Sequence, residues 1–168
     1  AIETIGCGFH NSSLGKVLIA MSDKGVCALL MGEDEEMVEK DLRRRFRSAQ
    51  LSFQNAFDPL ANAVLALIDA PVAKVDFPID LRGSPFQRRV WSALREIPSG
   101  ETSTYADVAR AIGAPTATRA VAGACAANPL AVAIPCHRVL RSDGALSGYR
   151  WGVERKRELL AREGILTP

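Results

Sequence analysis

The chain changes its hydrophobic period near Gly83, and that change limits the folds open to it. Upstream, Val17 to Met21 and Val26 to Leu30 are apolar runs flanking Ser22-Asp23-Lys24-Gly25, which reads as a hairpin over Lys16–Met31. The stretch Gly32-Glu33-Asp34-Glu35-Glu36 then opens a helix with Val38, Leu42 and Phe46 on one face. Acids in its first turn and Arg43, Arg44, Arg45 and Arg47 in its last suit the helix dipole, so the arginines read as a solvated helix end. Asp58-Pro59 reads as the N-cap and N1 of a second helix, with Val64, Leu65 and Ile68 inward and Pro71 ending it. Val75, Phe77, Ile79 and Leu81 alternate as an edge strand that tolerates Pro78.

Downstream the period is helical. Ser84-Pro85 starts a helix with Phe86, Val90, Trp91 and Leu94 as its stripe. Thr104 caps another, with Tyr105, Val108, Ala109 and Ile112 at i, i+3, i+4 and i+7. After Gly113-Ala114-Pro115 a further helix runs from Thr116 to Ala127, which makes the pair a helix-turn-helix candidate. A last helix runs Val153 to Glu163 with Gly164 after it. The expected class is α+β: residues 1–81 as a structural α/β subdomain with an antiparallel sheet, and residues 82–168 as a mostly helical, chemistry-bearing domain.

Charge divides at the same place. Residues 1–81 hold 8 Lys/Arg against 12 Asp/Glu, and residues 82–168 hold 13 against 7, so a polyanion is expected to face the second half. No apolar run approaches the ~18 residues of a membrane span, no signal peptide opens the chain, and the four cysteines have no disulfide-like spacing. A reducing, cytoplasmic setting is expected. Cys7 and His10 lack a second ligand pair, so no metal is expected.

Chemistry centres on Ile134-Pro135-Cys136-His137-Arg138-Val139. Leu130 to Ile134 reads as a buried strand or extended segment that Pro135 breaks. Cys136 beside an imidazole and a guanidinium is either a buried core thiol or a nucleophile whose pKa such neighbours lower. Glu163 shares the inward face of Leu159 and Leu160 at a helix end that disfavours negative charge, so it needs Lys156, solvent or an imidazole as compensation. The helix after Gly113 offers Arg119 as its only long polar side chain amid small residues. It is either buried against its neighbours or built to approach a groove without reading base edges.

Together these motifs resemble the O6-alkylguanine-DNA alkyltransferases. Pro135-Cys136-His137-Arg138-Val139, Asn128-Pro129 and Arg119-Ala120-Val121-Ala122 carry the likeness, and Gly144 to Gly152 with Lys156 is similar to the bacterial Ada type. The resemblance implies single-turnover, cofactor-free repair of O6-methylguanine, with O4-methylthymine as a second lesion, the methyl group ending on Cys136. It implies a relay from Glu163 through His137 and a water to the sulfur, with Asn128 orienting the surroundings. It implies a base pocket of Tyr105, Val139, Tyr149, Arg150 and Trp151, the last narrowing it against bulky alkyl groups. Arg119, Thr104, Thr118, Ala120 and Ser142 are implied DNA contacts in the minor groove of double-stranded DNA, for a monomer. An upstream regulatory domain in a longer chain goes with the Ada likeness. The alternatives are the DNA-binding half of an adaptive-response regulator and a Cys-His hydrolase, which leaves the helix-turn-helix unexplained.

Overall fold

The computed structural model describes residues 2–54 and 58–167. Strands β1 (Thr4–Ser12), β2 (Gly15–Ser22) and β3 (Gly25–Gly32) form a meander, and α1 (Glu35–Arg45) packs back on it. Strand β4 (Gln50–Phe53) adds to the other side of β1, giving the order β3-β2-β1-β4. β4 runs parallel to β1, so the sheet is mixed rather than antiparallel. The expected edge strand over 75–81 reduces to one bridge, Val26 to Ile79, with Val26 N–H donating to Pro78 (2.9 Å) and Asp80 N–H to Val26 (2.9 Å). Pro78 serves only as an acceptor there, and its missing N–H stops a ladder from growing.

Asp34 caps α1 through Glu36 N–H (3.0 Å). Helix α2 (Asp58–Asp69) turns Ala61, Val64, Leu67 and Ile68 inward, and Leu65 is only half-buried. A capping role for the Asp58 side chain lies outside the described residues.

Ser84 and Gln87 form a reciprocal capping box at the start of α3 (Pro85–Arg95). Trp91 of α3 is 1% exposed and its Nε1–H donates to Ala124 O (2.8 Å), which pins α3 to α5 (Thr118–Ala126). Between them, β5 (Ser103–Thr104) leads into α4 (Tyr105–Ala111), capped by Thr104 through Asp107 N–H (3.0 Å). The link from α4 to α5 is longer than expected. Residues 112–117 form it, because Gly113 is left-handed (φ 76°) and Ala117 N–H closes a turn on Ala114 O. β5 pairs in parallel with β6 (Val139–Leu140), which holds the start of α4 beside the segment that follows Cys136. Helix α6 (Val153–Arg162) ends with Glu163 as C-cap and Gly164 left-handed at φ 80°. One buried apolar cluster runs from Ile5 and the sheet through Trp91 and Val121 to Leu159, so both halves of the chain share a core.

Candidate active site

The segment before the cysteine is a turn, not a strand. Leu29 N–H donates to Pro129 O (2.8 Å) and Ala131 N–H to Leu29 O (3.0 Å), which ties the segment to β3 at one point. The chain then doubles back: Val132 is left-handed at φ 67°, and Ile134 N–H reaches Leu130 O (3.0 Å). A β-branched residue in that region is strained by about 1 kcal/mol or more. Asn128, fully buried, holds the turn. Its Nδ2 donates to Ile134 O (3.0 Å) and Cys136 Sγ (3.2 Å), and its Oδ1 accepts from Leu130 N–H (2.8 Å). Cys136 to Arg138 follow as one 3₁₀ turn, so the neighbouring Cys136 and His137 side chains leave the backbone in different directions.

His137 and Glu163 meet through Nε2 and Oε2, and neither side chain touches solvent. Glu163 has two further partners that sequence reasoning missed. Arg138 Nε donates to Oε1 (2.9 Å) and Oε2 (3.1 Å), and Gly100 N–H donates to Oε1 (2.9 Å). Arg138 also reaches Ile97 O (2.8 Å) and Pro71 O (3.1 Å), so it is a buried strut and not a surface residue. Burial alone would raise the Glu163 carboxyl, but the bonds from His137, Gly100 and Arg138 outweigh it and hold the pKa below its ordinary value. Burial pushes His137 down despite Glu163, which favours the neutral ring. With Nε2–H on the carboxylate, Nδ1 keeps its lone pair; that atom is buried and has no partner among the described residues.

Lys156 is not the partner of Glu163. Fully buried, its Nζ donates to Val139 O (2.7 Å), Ser147 Oγ (3.3 Å) and Gly148 O (3.3 Å). Desolvation lowers its pKa to about 8. The positive neighbours do not depress the thiol either. Burial pushes Cys136 up to about 11, with the Asn128 bond and the Lys156 charge offsetting only part of that.

Cys136 opens onto a cavity of about 440 Å³ lined by Tyr105, Ala122, Cys125, Ala126, Ser147, Gly148, Tyr149 and Arg150. Tyr105 Oη shares a hydrogen bond with Ser147 Oγ (2.8 Å). Of the five expected pocket residues, Tyr105, Tyr149 and Arg150 are on its wall. Val139 lies behind it with its carbonyl bound by Lys156. Trp151 is not on the wall: its indole makes a T-shaped contact with Tyr149 (5.3 Å) and lines a separate cavity with residues of α1. Ala122, Cys125, Ala126, Ser147 and Gly148, which the sequence reading left out, complete the wall.

On the outer side, α5 exposes Arg119, Ala120, Gly123 and Ala126, while Val121, Ala124 and Cys125 face inward. Thr118 is half-buried at its first turn, where no side chain caps the helix. Thr104 is half-buried at the cap of α4, and Ser142 is exposed just after β6. Among the described residues no group of three or more His, Cys, Asp or Glu side chains is placed to hold a metal, and no helix is long and apolar enough to cross a membrane.

A buried cysteine on a cavity wall beside a helix of small residues, followed directly by a hydrogen-bonded imidazole–carboxylate pair, defines a cysteine-centred site. Residues 85–165 match the model described as 6-O-methylguanine DNA methyltransferase, DNA binding domain. The chain is 49% identical over 151 residues to the bifunctional transcriptional activator/DNA repair enzyme Ada of Escherichia coli, covering 89% of this chain and 43% of that protein. It thus spans less than half the length of that relative. It is 48% identical over 113 residues to the methylated-DNA--protein-cysteine methyltransferase of Mycolicibacterium paratuberculosis, covering 67% of this chain and 68% of the relative. The crystal structure of Mycobacterium tuberculosis OGT in complex with DNA superposes with a TM-score of 0.79 at 35% identity, over 94% of this chain and 92% of that one. The chain belongs to the O6-methylguanine-DNA methyltransferase family.

Proposed function

We propose that the protein repairs DNA by taking the methyl group of O6-methylguanine irreversibly onto Cys136, with O4-methylthymine as a second substrate. The observation that carries this reading is the buried Cys136 on the cavity wall, bonded by Asn128 and followed directly by His137, which is hydrogen-bonded to Glu163. Sγ forms a bond to the methyl carbon as the bond from that carbon to guanine O6 breaks, in line. The thiol proton passes through a water to His137 Nδ1, and Glu163 stabilises the imidazolium that results. The departing guanine anion takes a proton from water and the imidazolium returns its own to solvent, so charge balances without a cofactor. Asn128 keeps Sγ aimed while the proton leaves.

The cavity is closed to a base inside a duplex, so the lesion must be extruded, at a cost of a few kcal/mol that a poorly pairing base reduces. Tyr105, Ser147, Gly148 and Tyr149 would surround it, with Arg150 at the mouth. The smooth outer face of α5 suits close approach to the minor groove, with Arg119 filling the gap left in the stack and Thr118, Ala120, Thr104 and Ser142 along the backbone. The Arg-rich second half supplies sequence-independent attraction to phosphates. In this reading residues 1–81 support and residues 82–168 react, and the protein works as a monomer in the cytoplasm.

The test is a peptide mass map after incubation with an O6-methylguanine duplex. Cys136 should gain one methyl group, and Cys136→Ala should gain none. Tight binding with no mass change would overturn the reading.

A further inference from the structure

The substrate cavity has two walls, and one carboxylate outside the cavity is tied to both. Helix α5 supplies Ala122, Cys125 and Ala126, and the loop before α6 supplies Ser147 to Arg150. Asp41 of α1 pairs with Arg150 of the loop (2.8 Å). It also pairs with Arg45 one turn along its own helix (3.3 Å), and Arg45 Nη1 donates to Ala127 O (3.0 Å). Ala127 is the C-cap of α5 and directly precedes Asn128, the residue bonded to Cys136 Sγ.

Three features set these contacts apart from ordinary surface pairs. The side chains of Asp41 and Arg45 are only 15% and 17% exposed, so solvent screens them weakly. Helix α5 has no basic residue in its own last turn, so the cation that satisfies its terminal carbonyl comes from α1. Asp41 also carries Arg44 (2.7 Å), so one carboxylate faces three guanidiniums. Burial would raise its pKa, but the bond from Arg150 and the charge of Arg45 hold it below its ordinary value.

We infer that Asp41 is a positioning residue for the substrate cavity, holding the 147–150 loop through Arg150 and the α5–Asn128 junction through Arg45 at a fixed separation. This rests on the cavity being the seat of the extruded base. Arg44 and Arg45, which look like part of a solvated helix end, thereby belong to the cavity's outer support. Without Asp41, Arg150 is freed to swing at the mouth and Arg45 loses the carboxylate that aims it at Ala127.

The test pairs hydrogen exchange with single-turnover kinetics on the whole chain. In the resting protein, Asp41→Asn should speed exchange in peptides covering both 125–130 and 145–151 and leave 85–95 unchanged. On an O6-methylguanine duplex, the protein concentration giving half-maximal rate should rise about tenfold while the limiting rate falls less, as for loss of one charge-assisted bond. Asp41→Glu should recover most of the loss. Arg150→Gln should perturb 145–151 alone, and in the double variant exchange over 145–151 should be no faster than in Asp41→Asn, since both remove one contact. Unchanged exchange at both walls, or additive gains in exchange over 145–151, would overturn the inference. If Asp41→Asn does not fold, Arg45→Met and Arg150→Gln each test one arm, and normal exchange at the corresponding wall overturns it. A wild-type protein that transfers no methyl refutes the assignment of function and leaves the exchange result to be judged alone.

Discussion

His137 and Glu163, 26 residues apart, are hydrogen-bonded in a site that excludes solvent from both side chains. The bond decides which imidazole nitrogen can act. With Glu163 held ionised by Arg138 and Gly100, the shared proton sits on Nε2 and the free lone pair on Nδ1. A base whose far side is fixed by a carboxylate gains a proton at little cost in reorganisation.

Glu163→Gln isolates that contribution. The amide oxygen still accepts from one N–H, so the local geometry is largely kept, but the charge that stabilises an imidazolium is gone. The methyl-transfer rate should fall about 100-fold, in the range for loss of general-base assistance. Stability should fall by roughly 3 kcal/mol, because Arg138 is left buried without a counter-charge. Single-turnover kinetics and denaturant melts read the two effects separately. A variant with full rate would remove Glu163 from the mechanism.

The same pair predicts how stability responds to acid. His137 has a folded pKa below its ordinary 6.5 and Glu163 one below its ordinary 4.5. In both cases the unfolded chain binds more protons in the window between folded and unfolded values, so stability drops as pH falls through it. Melting temperature should therefore begin to fall below about pH 6.5 and fall further below about 4.5. His137→Gln should abolish the first decline, and Glu163→Gln should lessen the second, which Asp41 and Asp80, also held below their ordinary values, share. A wild-type melting temperature flat from pH 7 to 5 would contradict a neutral buried imidazole.

What the sequence made legible was mostly local. The hairpin, the helix start at Ser84 and the stop at Gly164 each depend on residues a few positions apart, and all appear where expected. The Glu163–His137 contact was foreshadowed because a carboxylate on an apolar helix face at the wrong end of the dipole needs a partner. The misses are non-local. Strands β1 and β4 escaped notice because Gly6 and Gly8 blur the alternation of β1 and because β4 has only four residues. The turn at Val132 looks apolar and strand-like in sequence, and its left-handed backbone is imposed by the buried bonds of Asn128. The displacement of Trp151 from the cavity and the burial of Arg138 depend on packing between distant segments, which no local pattern encodes.

Asn128 offers a test of the turn. Asn128→Ala removes three bonds at once and leaves Leu130 N–H and Ile134 O buried without those partners. Each such group costs about 1–3 kcal/mol, so the variant should be among the least stable single substitutions in the second half. The thiol, lacking its N–H donor, should become harder to ionise. Methyl transfer should fall by more than DNA affinity, since α5 keeps its exposed face. Comparing affinity for an undamaged duplex with the transfer rate checks this, and equal losses in the two would argue for a collapse of the whole domain.

The outer face of α5 gives the last prediction, because Gly123 separates fold from function there. A Cβ added at Gly123 meets nothing within 4 Å, and the residue sits mid-helix with ordinary φ. Gly123→Ala should therefore stabilise the protein by about 0.5–1 kcal/mol through the unfolded chain's lost freedom. Its effect on DNA binding should be small, as a methyl group matches Ala120 and Ala126 beside it. Gly123→Leu should fold equally well but hold the helix away from a groove floor and weaken duplex binding. Arg119→Ala should leave the melting temperature unchanged, since the residue is exposed, and reduce transfer on duplex far more than on a free O6-methylguanine base. If Arg119 also bonds phosphate, the slope of log affinity against log salt should shrink by about one. Gly123→Leu with wild-type duplex affinity would show that another face of the protein meets DNA.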